Sequence, residues 1–99
     1  MRTVLERLLD YTAFDTQSDE TTGTHPSTAK QRVLAEHLAE ELRRLGAAEI
    51  QVTEHSYVYA RLAATEGCEA APALGFIAHL DTSDAASGAG VKPQIVRCW

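Results

Sequence analysis

His79 and Asp81 are the residues whose types and spacing speak most directly of chemistry, within the run Phe76-Ile77-Ala78-His79-Leu80-Asp81-Thr82. Neutral imidazole is a good ligand for zinc, and residues two apart on an extended chain point to the same side. Asp81 could therefore fix the tautomer of the His79 ring, or help to bind a metal itself. The spacing leaves a second reading open: an isolated His-x-Asp is common, and its histidine is more often simply hydrogen-bonded. One ligand also does not make a site, because catalytic zinc usually takes three protein ligands and a water. His25, His37 and His55 show neither HxH nor HExxH spacing and are assigned no metal. His37 reads as a partly exposed helical position, His25 as a loop residue before Pro26, and His55 as part of a turn.

The elements that must position this pair follow from periodicity. Val4, Leu5, Leu8, Leu9 and Thr12 have helical spacing, and Thr3 with Glu6 forms a capping-box pattern. A helix of about three turns is expected from near Thr3. Residues 15–24 are polar and aperiodic, a loop ended by Pro26. A second helix is expected next, capped by Ser27 or Thr28, with its apolar stripe on Leu34, Leu38, Leu42 and Leu45. Arg32–Glu36 and Glu40–Arg44 have the spacing of helical ion pairs, and Gly46 stands where a helix ends. Ile50 and Val52 alternate with polar neighbours, residues 54–56 read as a turn, and residues 57–62 as the partner strand. Residues 63–72 read as a surface connection. Residues 74–78 form a continuous apolar run, as in a strand covered on both faces, and 81–90 as the loop after it. Residues 91–96 complete the pattern as a last strand. The expected fold class is α/β, an incomplete three-layer sandwich with a mixed sheet flanked by helices.

Composition narrows the classes of function. The 99 residues carry 14 acidic and 9 basic side chains, a formal charge of −5, and no basic stripe interleaved with aromatics. No electrostatic case for nucleic acid exists. No apolar run approaches the roughly 20 residues of a membrane helix, and the amphipathic, charged start is unlike a signal peptide. Cys68 and Cys98 lie far apart without a CxxC, which reads as free thiols in a reducing, cytoplasmic setting. There is no GxSxG elbow, and Gly88-Ala89-Gly90 opens no evident helix that could cradle a phosphate.

Taken in order, the segments resemble the N-terminal part of the tripeptide aminopeptidases of the M20 metallopeptidase family. The resemblance rests on Leu5-Glu6-Arg7-Leu8-Leu9-Asp10-Tyr11, Phe14-Asp15-Thr16-Gln17-Ser18, Pro26-Ser27-Thr28 and the helix end Leu45-Gly46. It is sharpest in residues 74–83 and closes with Val91 and Pro93-Gln94-Ile95-Val96. It implies a di-zinc enzyme in which His79 is a ligand of one metal and Asp81 is the catalytic-site carboxylate that orients its imidazole. It further implies removal of the first residue from a tripeptide, with a glutamate as general base. By the same resemblance, residues 1–99 are the N-terminal part of a catalytic domain. The rest of that domain, the lid domain and the remaining ligands are expected beyond Trp99, leaving this segment inactive alone. Other M20 activities, on dipeptides or acylated amino acids, are alternatives within the family. A small non-enzymatic α/β domain with a structural His79 is the alternative outside it. Oligomeric state is not legible.

Overall fold

The computed structural model describes residues 1–98. Helix α1 spans Val4–Tyr11, eight residues and thus shorter than the three turns expected. Its start is as the spacing predicts: the Glu6 N–H donates to Thr3 Oγ1 at 3.2 Å, and the Thr3 N–H donates to the Glu6 carboxylate at 2.6 Å. Two of the orphan amides at a helix start are thereby satisfied reciprocally.

Helix α2 spans Gln31–Arg44, and neither expected cap serves it, because the N-cap position falls on Lys30 without a side-chain hydrogen bond. The Ser27 and Thr28 hydroxyls are used by the preceding loop instead. Ser27 Oγ accepts from the Asp19 N–H at 3.2 Å and from Gln31 Nε2 at 3.0 Å, while Thr28 donates to the Gln17 carbonyl at 2.9 Å. The other end is as expected. Gly46 takes φ +85°, its N–H reaches the Arg43 carbonyl, and the Ala47 N–H reaches the Leu42 carbonyl, both at 3.0 Å. This pair of bonds is the Schellman closure, which needs a residue tolerant of the left-handed region at Gly46. Arg32 and Glu36 pair at 2.9 Å, but Glu40 pairs with Arg43 rather than Arg44.

Strands β1 (Ala48–Val52) and β2 (Val58–Arg61) form an antiparallel hairpin with Val52 opposite Val58 and Gln51 opposite Tyr59. The ladder is irregular between Ala48 and Gln51, where Glu49 adopts φ +52°. The turn closes through the Thr53 N–H to the Tyr57 carbonyl at 2.9 Å and the Ser56 N–H to the Thr53 carbonyl at 3.0 Å. Helix α2 packs on this hairpin. Leu34, Ala35 and Ala39 form the buried apolar core, and Arg32 Nη1 donates to the Thr53 carbonyl at 2.8 Å.

The segments expected as further strands are not strands. Residues 74–78 and 91–96 carry no ladder, so among the described residues the sheet has two strands and is not mixed. The expected three-layer sandwich is realised only as one helix layer on one hairpin, with α1 beside it. The reason is physical: a strand needs a neighbour's N–H and C=O groups, and residues 74–78 have none beside them. Phe76 is 91% exposed and Ile77 101% exposed, so this apolar run has nothing to be buried against. The radius of gyration, 16.2 Å, exceeds the roughly 13 Å of a compact chain of this length. An exposed apolar edge of this kind is a template for self-association. Ile77→Lys is therefore expected to raise the concentration at which the chain stays monomeric, by several-fold in analytical ultracentrifugation, without altering the circular dichroism of the helices.

Helix α1 has no buried residue and is held to α2 by polar side chains. Arg7 Nε and the Tyr11 hydroxyl both donate to the Glu41 carboxylate, which is 7% exposed. Arg2 pairs with Asp10 at 3.1 Å, and His37 Nε2 meets the same carboxylate at 2.6 Å. His37, expected as a partly exposed helical position, is half-buried, with Phe14 at 4.8 Å and Tyr11 edge-on at 6.2 Å. Hydrogen bonding from Tyr11 holds Glu41 below its ordinary value, and hydrogen bonding from His37 does the same to Asp10. Burial, then the bond to Glu41, pushes the Tyr11 hydroxyl up to about 12. The carboxylates are depressed, so their contribution is full above their ordinary values of 3.8 and 4.5 and is lost as pH falls. Tyr11 is raised, so its contribution is full below pH 10 and is lost as pH climbs towards about 12. Protection of the α1 amides, taken relative to free-chain exchange at the same pH, is expected to be greatest between these limits and to fall on both sides, with Glu41→Gln leaving only the Asp10 part of the acid limb.

Candidate metal-binding segment

The chain around His79 is positioned by a pairing that sequence spacing does not reveal. Thr82 forms an isolated parallel bridge with Gln17. The Thr82 N–H donates to the Thr16 carbonyl at 3.1 Å, and the Thr82 carbonyl accepts the Ser18 N–H at 2.9 Å and the Ser18 hydroxyl at 3.0 Å. The run Asp15-Thr16-Gln17-Ser18, whose composition predicts a polar loop, is thus bound along the run that carries His79 and Asp81. Thr16 is buried. Gln17 Nε2 also donates to the Asp84 carbonyl at 3.3 Å, which fastens the loop that follows.

Asp15 secures this segment from behind. Its Oδ1 accepts the Gln17 N–H at 3.1 Å, an Asx-type turn, and its Oδ2 meets Lys30 Nζ at 2.9 Å. The hydrogen bond from Lys30 holds the Asp15 carboxyl below its ordinary value. Gly88 is buried against the same group: a Cβ there would lie 2.8 Å from Asp15 Oδ1 and 3.2 Å from Thr82 Oγ1. The loop can pass so close only without a side chain. Sequence reasoning missed Asp15, Gln17 and Gly88 as positioning groups. The one local signal was the capacity of an Asp two residues before an amide to close an Asx turn.

Within this run, His79 Nδ1 lies 3.1 Å from Asp81 Oδ1. A carboxylate that accepts from Nδ1 selects, in a neutral ring, the tautomer whose Nε2 lone pair is free. His79 is 84% exposed at its side chain and Asp81 42%. The pair therefore stands as the spacing expects, on one side of the chain and in contact. This is the arrangement in which a carboxylate fixes a ligand histidine's tautomer and raises its basicity. The residues present fit one corner of a zinc site. Among the described residues no three His, Cys, Asp or Glu side chains gather into a group able to hold a metal.

His79 and Asp81 face a cleft of about 590 Å³ that also borders His25, His55, Tyr57 and Phe76. His55 Nδ1 meets the His25 carbonyl at 3.1 Å, and neither ring joins His79 in a cluster. Both cysteines are free and exposed, and no helix among the described residues is long and apolar enough to cross a membrane.

Sequence comparison places the chain's resemblance among the peptidases, a class of hydrolases. The relatives in question are named peptidase T. That of Parabacteroides distasonis is 56% identical over 94 residues, which are 95% of this chain and 23% of the relative. Those of Clostridium acetobutylicum and Caldanaerobacter subterraneus are each 47% identical, over 98% and 97% of this chain. These alignments run along nearly the whole chain, which is similar to one segment of peptidase T. It spans about a quarter of the length of the relatives it matches, 23–24%. No family model matches the sequence.

Asp81→Asn exchanges a charged acceptor for a neutral one at the same position. The Nδ1-protonated fraction of His79 is expected to fall, read directly from its ring nitrogen shifts, while the α2 and hairpin resonances stay in place.

Proposed function

We propose that residues 1–99 are the part of a peptidase T-type aminopeptidase that brings one metal ligand, His79, to an M20-type catalytic domain. The observation that supports this most is the joint one: 56% identity to a peptidase T across 95% of the chain, with His79 and Asp81 in hydrogen-bond contact. In this reading His79 holds a zinc ion through Nε2, and Asp81 keeps the ring in the tautomer that leaves Nε2 free. Zinc, when bound, would supply polarisation of the scissile carbonyl and a bound water of lowered pKa. Both the second metal and the general-base glutamate require residues outside this segment. What the segment itself does is orient: Thr16 and Ser18 hold the Thr82 backbone, and Asp81 one residue earlier is held with it.

The substrate class is an unblocked tripeptide cut after its first residue, and the compartment is the cytoplasm. Nucleic acid and membrane have no part in it. The net charge of −5 without a basic face supports the first exclusion. The length of the relatives supports placing the remaining ligands and a lid domain in sequence that this chain does not include.

The test is a chimaera in which this chain replaces the matching segment of the Parabacteroides distasonis enzyme. The chimaera is expected to hydrolyse tripeptides with added zinc, and His79→Ala to reduce kcat/KM by at least about a thousandfold, as for loss of a metal ligand. Activity that survives His79→Ala would sink the ligand assignment. Hydrolysis by the 99-residue chain alone would show that the segment holds more of the site than proposed.

A further inference from the structure

We infer that Asp15 is a positioning residue for the His79–Asp81 pair, acting through the Thr82 backbone and the Gly88 turn. Three separate pieces of the chain meet at its carboxylate. Oδ1 accepts the Gln17 N–H, Oδ2 accepts Lys30 Nζ at the start of α2, and Gly88 passes within the space a methyl group would need. The Gln17 amide fixed in this way lies between Thr16 and Ser18, whose backbone groups hold Thr82 from both sides. Thr82 is the residue after Asp81. A shift of the 15–18 segment therefore moves the carboxylate that orients His79.

Asp15 touches neither His79 nor Asp81 among its hydrogen-bond partners, so its effect is indirect. Lys30 adds direction to this hub. It anchors Asp15 to the N-terminal end of α2, the helix that buries the core, so the His79 run is referenced to the element that carries the buried apolar side chains. Gly88 closes the other side, passing where an added Cβ would meet Asp15 Oδ1 and Thr82 Oγ1.

The inference rests on the reading of His79 as a ligand only for its consequence, and it is tested without metal. In the zinc-free chain, Asp15→Ala is expected to speed hydrogen exchange at the Thr82 and Ser18 amides about tenfold, the scale of one lost charge-assisted hydrogen bond. The same variant should lower the Nδ1-protonated fraction of His79, and Asp15→Asn, whose Oδ1 still accepts from Gln17, should restore most of both. Gly88→Ala, which presses on Asp15 from the opposite side, should reproduce the loss with α2 and the hairpin intact. Unchanged Thr82 exchange and an unchanged His79 ring in Asp15→Ala overturn the inference. So does a loss of protection that includes the hairpin in both variants, because Asp15 would then be a general structural group. Failure of the ligand reading shows instead in the hydrolysis experiment and leaves these measurements untouched.

Discussion

Everything at the candidate site depends on three backbone-directed hydrogen bonds between segments more than sixty residues apart, those joining Thr16 and Ser18 to Thr82. Closing so long a loop costs chain entropy before any contact returns it. The Asp15 turn, the Lys30 pair and the close approach of Gly88 all converge there and offset that cost locally. Without that junction the His79–Asp81 run would be held only through the loop after it, by the Gln17–Asp84 bond and the approach of Gly88 to Asp15, since residues 74–78 pair with nothing. A short polar ladder does here what a sheet does in larger α/β domains.

The local features of the fold are legible in the sequence. The capping box at Thr3 and Glu6, the closure at Gly46, the hairpin about residues 54–56 and the contact of His79 with Asp81 all follow from spacings of two to four residues. Their physics lies within one or two turns of chain, so neighbours alone decide it. What failed was non-local. The run 74–78 has the composition of a two-sided strand, yet burial is a property of what lies alongside, and nothing does. Ser27 and Thr28 have cap chemistry, but Asp19 and Gln17 claim their hydroxyls first.

The polar attachment of α1 was hidden for the same reason. Arg7, Tyr11 and Glu41 sit on two helices with no shared period, and only their meeting turns a surface-looking glutamate into the most enclosed carboxylate of the helix pair. Such a contact carries little dispersion energy and much electrostatic selectivity, so it fixes where α1 sits more than how strongly it is held. Because Phe14 continues from α1 into the Asp15 turn and stacks near His37, the register of that helix sets where the 15–18 ladder begins.

The connection over residues 63–72 is exposed at every position, and its hydrogen bonds are internal, from the Cys68 and Ala71 amides to carbonyls three residues back. It bridges the hairpin and the His79 run without touching the ladder that aligns them. Its length is consequently under almost no geometric control: doubling a free loop adds only about 0.6 kcal/mol of closure entropy. Insertions, protease nicks or an appended domain can accumulate there, while a single added methyl at Gly88 cannot be absorbed without movement. In this molecule the freedom to vary and the obligation to stay fixed lie some twenty residues apart on one strip of chain.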